Sequence, residues 1–477
     1  MNRLRKAAFS PMNRLLTAIV IVLAGAGVRM AIHSGNRGLF SHPQVDELEY
    51  MSMASAPFQR PPGTYILARL PRPRLIFGGI SLLPSLLFFL FLPRSRKHTL
   101  FAGLLALEPT LALSGIQVLP EAPAAALVAA GLVCFRRGEN RLAGFLFGAS
   151  ALFRGELLLL LPLLPLTGKR GLTMALFAAS AVLPVMAVNA ASGAGPTVAA
   201  TGGVNLWIGS DWELITTPPG VEFEQLMELS GEDTFTRRAL NVISRNPSEW
   251  VLRGLTKTLA FFSLPGPGRN IDSGAALAGV FPLLAITALF LAGASGIRRN
   301  PSSAFIFAAL ASAFLFFPSV RYRAVFLPAF ALTALDTPWK KLLPGVAAVA
   351  AASLLINYPG HVRPGLNSVL SAQNALRDNR PGQCLESLAL AEREGYWGAD
   401  LHNIRASAMA MMGMDFQETF LEFGRALEAA PRSPTVWRNT AAFLWNTGRV
   451  PMAREAAEKA VSLNPALRGE LESILSE

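Results

Sequence analysis

Charge is scarce in this chain: 16% of its 477 residues are Asp, Glu, Lys or Arg, where about 25% is usual for soluble proteins. With 52% hydrophobic residues and a mean hydropathy of +0.39, that scarcity excludes an ordinary soluble protein of this length. Cysteine is nearly absent. Cys134 and Cys384 lie in different regions, so neither a disulfide framework nor a cysteine metal site is expected. The first apolar run also lacks a small-residue cleavage site, and so reads as a retained helix rather than a signal peptide. Much of the net charge of +12 lies in short loops between apolar segments, where it reads as topology information and not as a nucleic-acid surface.

What is abundant is the membrane-length apolar stretch. Such segments fall at 15–33, 75–93, 99–115, 120–135, 142–167, 171–191, 274–296, 302–317, 323–336 and 341–357. Basic clusters stand at Arg3–Lys6, Arg94–Lys97, Arg136-Arg137 with Arg141, Lys169-Arg170, Arg298-Arg299 and Lys340-Lys341. Keeping all of them on the cytoplasmic side gives one threading. It requires 142–167 to enter and return as a hairpin broken near Arg154-Gly155-Glu156, whose charges are costly in lipid. The expected fold is all-α: a polytopic bundle of about eleven helices or half-helices over 1–360, then a soluble helical domain over 361–477. The protein is expected in the inner (cytoplasmic) membrane, with its N-terminus on the cytoplasmic side. Loops 34–73 and 193–273, the Arg321-Tyr322-Arg323 turn and the C-terminal domain fall on the periplasmic, extracytoplasmic side.

After Pro364 the composition becomes that of a soluble protein. Pro431 and Pro465 are 34 residues apart, as are Ala426 and Ala460, and Trp437, Gly448, Ala453 and Ala460 precede Pro465. That order resembles tetratricopeptide repeats, with a weaker copy at 368–400. Such helix pairs stack into surfaces that bind proteins or peptides; a plain helical cap on the membrane domain fits the same residues.

The outer loops gather the candidate chemistry. Asp46 and Glu47 follow the first apolar run, and Tyr50 shares a helical face with Asp46. A carboxylate held at the bilayer surface can act as a general base on an acceptor hydroxyl or amine, although a solvated acidic turn has the same residues. Glu121 opens the fourth apolar segment, as a functional carboxylate or as a partner of the helix dipole. Asp46 and Glu121 could share a divalent cation through oxygen ligands, but two carboxylates do not define a metal site, and no other cofactor is expected. Arg321 and Arg323, flanking Tyr322, suit phosphate recognition because the guanidinium fork pairs with an oxyanion; snorkelling to headgroups is the simpler reading. Arg60 and Arg154 are weaker members of the same class. Asn205 and Trp207, in Gly202-Gly203-Val204-Asn205-Leu206-Trp207-Ile208-Gly209, could bond and stack on a sugar, a pattern that more often marks a turn and a strand.

In that order these motifs resemble membrane glycosyltransferases of the GT-C class, nearest the glycosyltransferase 39 and 83 group of protein O-mannosyltransferases and the aminoarabinose lipid A transferase. The resemblance runs over 1–357 through Asp46-Glu47 with Tyr50, Arg60-Pro61-Pro62, Glu121, Leu152-Phe153-Arg154-Gly155-Glu156, the Gly202–Gly209 stretch and Arg321-Tyr322-Arg323. It implies an inverting transfer from a polyprenyl-phosphate-linked sugar to a protein, lipid or glycan acceptor. Asp46 would match the base, Glu121 the second acidic position, and Arg321 and Arg323 the lipid-phosphate ligands. Glu47 would support Asp46. The chain departs from the group in its compact membrane domain, its repeat-like tail, and an arginine before Pro-Pro where many relatives have histidine. Two other readings stand beside it: an O-antigen ligase or polymerase-like enzyme, and a non-enzymatic membrane-anchored repeat scaffold.

Overall fold

The computed structural model describes residues 11–35, 50, 60–92, 95–193, 195–199, 202–210, 235–263, 301–316, 318–338, 365–431, 433–463 and 465–476, with isolated positions between 285 and 351. Among them every regular element is helical. In chain order the main ones are α1 (Pro11–Gly35), α2 (Gly63–Ala68), α3 (Pro73–Ile80), α4 (Leu83–Phe91), α5 (Arg96–Leu107), α6 (Pro109–Ile116), α7 (Glu121–Arg136) and α8 (Asn140–Ala151). Then come α9 (Lys169–Ala191), α10 (Gly202–Ser210), α11 (Phe235–Arg245), α12 (Pro247–Phe262), α13 (Ser302–Leu315) and α14 (Arg323–Leu335). Six more follow: α15 (Leu366–Arg377), α16 (Pro381–Arg393), α17 (Ala399–Met411), α18 (Phe416–Ala429), α19 (Pro434–Asn446) and α20 (Val450–Leu463).

Three described helices are long and apolar enough to cross a membrane: Asn13–Ser34, Pro73–Phe91 and Lys169–Ala191. A fourth would be the pair Lys97–Leu107 and Pro109–Ile116, bent by 47°. The bend has a local cause. Pro109 supplies no N–H to α5, and Glu108 caps α6 by accepting from the Leu111 N–H at 2.7 Å and the Thr110 hydroxyl at 2.5 Å. One face of α1 points outward: Leu15, Leu16, Ile19, Val20 and Leu23 are between 44% and 65% exposed, a surface suited to lipid, while Ile21 packs on Leu82 and Ala106. By contrast α7, α13 and α14 have 16, 14 and 13 residues. At ~1.5 Å per residue they reach about 20–24 Å, short of a ~30 Å hydrocarbon layer. The expected segments 274–296 and 341–357 lie outside the described residues, apart from isolated positions.

The alanine-rich α7 is the centre of the bundle, packed on α8, α14 and α4. Helices α8 and α9 approach most closely where Gly144 and Gly148 lie four residues apart. A Cβ at Gly144 would stand 2.3 Å from the Met174 carbonyl oxygen, and one at Gly148 only 2.2 Å from that of Ala178. Small residues at that spacing let two backbones touch. The helix α8 ends at Ala151, and short helical turns carry the chain from Gly155 to Thr167, so the break expected near Arg154 is present.

After Gly365 the helices come in pairs, α15 with α16, α17 with α18, and α19 with α20. Their turns use left-handed backbone at Asn379, Gly413 and Gly448, and Asp415 and Ser433 cap the helices that follow. Cores made wholly of residues from this region hold the pairs together, one around Phe423, Ala441 and Ala457 and another around Cys384 and Leu388. Both cysteines are free, and burial pushes the Cys384 thiol up to about 11.

Two outcomes test this packing. Replacing Gly148 with Leu should destabilise the detergent-solubilised protein by at least the ~1–3 kcal/mol typical of overpacking; an unchanged thermal midpoint would mean α8 and α9 do not touch there. Cys384 should resist maleimide at pH 7 until the chain is denatured.

Candidate functional site

Glu121 is the first residue of α7 and its side chain has no exposure to solvent. Its Oε1 lies 3.2 Å from Arg154 Nη1 and 3.6 Å from Arg321 Nε. Arg154 gives its Nη2 to the Glu156 carboxylate, and its guanidinium carbon sits 4.0 Å from the centre of the Tyr322 ring. Arg321 approaches the same ring at 5.5 Å. Two carboxylates thus face two guanidiniums around one aromatic face. Glu121 Oε2 is buried with no hydrogen-bond partner among the described residues.

Local backbone explains the convergence. The residues after α8 tighten, with Phe153 N and Arg154 N donating to Ser150 O, and then Arg154 adopts an extended conformation that ends the helix. Pro120 starts α7 at Glu121, and a three-residue turn, Val320–Tyr322, delivers Arg321 and Tyr322. The Arg60-Pro61-Pro62-Gly63 turn docks alongside: Gly63 N donates to Leu152 O at 2.8 Å, and a Cβ there would meet Phe153.

The structure therefore brings Glu121, Arg154, Arg321 and Tyr322 together, with the Arg60 turn packed on the residues before Arg154. Asp46 and Glu47 lie outside the described residues. Tyr50, expected to line an acceptor loop, is 2% exposed; it packs on Tyr65 at 5.2 Å, and Arg60 stacks over it at 5.6 Å. Its cluster includes Val118, three residues before Glu121.

Two expectations need correcting. Arg323 does not join Arg321. It is fully buried and donates to Ser263 O at 3.0 Å and Ala260 O at 3.4 Å, near the Phe261 ring. At the start of a helix, residues two apart point to different sides, so the pair splits. The Gly202–Ser210 stretch is a helix, not a turn and strand. Within it Trp207 is 7% exposed, stacked on Phe235 at 5.7 Å and covered by Arg238, while Asn205 is half-buried. Trp207 is a core residue of that region and offers no open sugar platform.

Several buried charges escaped the sequence reading, Arg29, Glu108 and Lys257 among them. Glu108 is fully buried at the α5–α6 bend, where it caps α6; a carboxylate before proline inside an apolar run is a cap signal that could have found it. Lys257 is fully buried, donating to Gly209 O at 2.5 Å and Phe316 O at 3.1 Å, and burial pushes its ammonium down to about 7. Nothing in its local sequence distinguishes it.

A divalent cation does not fit what is seen at Glu121. Among the described residues no three of His, Cys, Asp and Glu gather as metal ligands. Any cation on Glu121 would stand against two guanidiniums. No family of known proteins, no curated protein and no solved structure matches this chain.

The cluster is testable by itself. Glu121→Gln leaves Arg154 and Arg321 without a shared counter-charge and should cost about 3–5 kcal/mol of stability, the range for breaking a buried pair. Adding Arg154→Gln should recover part of that loss in thermal unfolding. Strict additivity of the two changes would show that they do not interact.

Proposed function

We propose that this chain is a polytopic membrane glycosyltransferase of the GT-C kind. It moves a sugar from a polyprenyl-phosphate-linked donor to an acceptor on the extracytoplasmic face. The observation that carries this reading is the convergence of Glu121, Arg154, Arg321 and Tyr322. These residues come from three separated motifs that run in the order of that class. The wide separation of the motifs in sequence makes their meeting at one end of the bundle informative.

In the proposed reaction, the donor phosphate lies against the two guanidiniums. Arg154 has five N–H donors by its chemistry, and its contacts to Glu121 and Glu156 leave others for an oxyanion. Glu121 holds both arginines in position and offsets their charge until the phosphate arrives. Asp46 takes the proton of the acceptor nucleophile as the anomeric carbon is attacked from the face opposite the phosphate. The C–O bond to the phosphate breaks and the lipid phosphate leaves as an anion beside the arginines, with inversion at the anomeric carbon. The C-terminal helix pairs, repeating near the 34-residue spacing of Pro431 and Pro465, recruit a protein acceptor or partner on the same side.

Sugar transfer in proteoliposomes supplied with polyprenyl-phosphate sugars is the decisive measurement. Asp46→Asn should lower kcat by about 100-fold or more. Arg321→Ala should cost about 10- to 100-fold in kcat/KM, and Arg321→Lys should recover little because a point charge replaces a fork. Wild-type rates in both Asp46→Asn and Arg321→Ala would sink the mechanism. A scaffold would transfer no sugar from any donor.

A further inference from the structure

The opposite end of the same helices holds a cavity of ≈ 570 Å³, lined by Arg14, His98, Arg136 and Arg137 together with Asp336 and an apolar wall that includes Phe91 and Leu332. Helix α7 links the two places. Glu121 is its first residue and Arg136 its last, so at ~1.5 Å per residue they stand about 22 Å apart along the axis. Helix α14 runs the same way, from the Tyr322 end to Leu332 and Asp336. This cavity is therefore not part of the Glu121 cluster.

Its composition is specific. Three arginines and a histidine face one carboxylate, so positive charge is in excess. Asp336 pairs with Arg136, both side chains being over a third exposed (44% and 35%). An ion pair that exposed holds weakly and can yield to a stronger anion. Arg14 donates to Leu90 O at 3.2 Å, and Arg137 stacks on Phe91 at 4.8 Å, so both guanidiniums lie over apolar surface. The volume lies in the range of small-molecule sites. Basic groups above an apolar wall, at the ends of α1 and α4, where Leu15, Leu16, Leu90 and Phe91 are exposed, match an amphiphile with an anionic head.

We infer that this cavity binds the phosphate headgroup of an anionic phospholipid, with the arginines on the phosphate and Phe91 and Leu332 against the glycerol and upper acyl chain. The shared chemistry is a phosphate oxyanion, which a free phosphate ion also offers. The apolar wall favours the lipid. This inference does not depend on the transferase reading.

The test uses the full chain purified in neutral detergent and exposed to phosphatidylglycerol, phosphatidylcholine or inorganic phosphate. Bound lipid is counted by native mass spectrometry, with thermal unfolding in parallel. Phosphatidylglycerol should be retained about tenfold over phosphatidylcholine. The Arg136→Gln, Arg137→Gln double variant should lose that preference, and Arg321→Ala at the other end should keep it. Two further variants guard against simple misfolding: Leu332→Trp fills the cavity without changing charge and should lower retention, while Asp336→Asn removes the competing carboxylate and should raise it. Equal retention of the two lipids would overturn the inference, as would a preference that survives both the double variant and Leu332→Trp. Full stabilisation by inorganic phosphate, with nothing added by phosphatidylglycerol, would replace the lipid with a free anion and overturn it too.

Discussion

A carboxylate with no access to solvent, Glu121, takes guanidinium contacts from Arg154 and Arg321, and the arrangement of the bundle depends on that sharing. A lone buried carboxylate would be strongly disfavoured. The three residues stand on α7, on the break after α8, and on the turn before α14, so satisfying one charge fixes three elements that are far apart in the chain. Desolvation offsets much of the attraction in such a cluster, so its value lies less in net stability than in excluding other packings. The stack of Arg154 on Tyr322 adds a preferred orientation for the guanidinium plane.

The same economy of charge recurs through the apolar body. Arg29 donates to the carbonyls of Gly25, Ala106 and Ser81 and to the Ser81 hydroxyl. Lys257 takes the carbonyls of Gly209 and Phe316, and Arg323 those of Ala260 and Ser263. Several of these acceptors stand at helix C-termini, where the last carbonyls have no partner within their own helix. A cation placed there satisfies orphan acceptors and meets the negative end of the dipole. This is how α10, α12 and α13 can stop within or against an apolar bundle without stranding their ends.

Local signals were legible in the sequence, and three-dimensional partnerships were not. The Arg154-Gly155-Glu156 break showed because charge interrupts an apolar run, and α8 does end there. The helix pairs after Gly365 showed through the 34-residue spacing and the order of Trp437, Gly448, Ala453 and Ala460 before Pro465. Arg321 and Arg323 read as a pair because they are close in sequence, but the geometry at the start of α14 sends them to different partners. Trp207 read as a possible sugar platform because an aromatic after glycines resembles a loop. Phe235 and Arg238, on α11 beyond residues 211–234, cover it, and nothing local to Trp207 announces them. Lys257 is hidden for the same reason, its acceptors coming from α10 and from the residue after α13.

Helices α7 and α14 are bracketed by ion pairs at both ends, Glu121 with Arg321 at one and Arg136 with Asp336 at the other. Moving one helix by a single residue shifts it ~1.5 Å and rotates it ~100°, which would break both pairs at once. Between them every residue of α14 is buried, including Pro328, whose ring removes one backbone hydrogen bond from the middle of the helix. If the ends are fixed, the middle is where α14 can bend. A motion at the Glu121 end therefore has a route that leaves the Arg136 end in place, through the proline and not through sliding of the pair. Where an anion takes Arg136 from Asp336, that exposed tie is lost, and the buried contacts of Glu121 alone hold α7 and α14 in register.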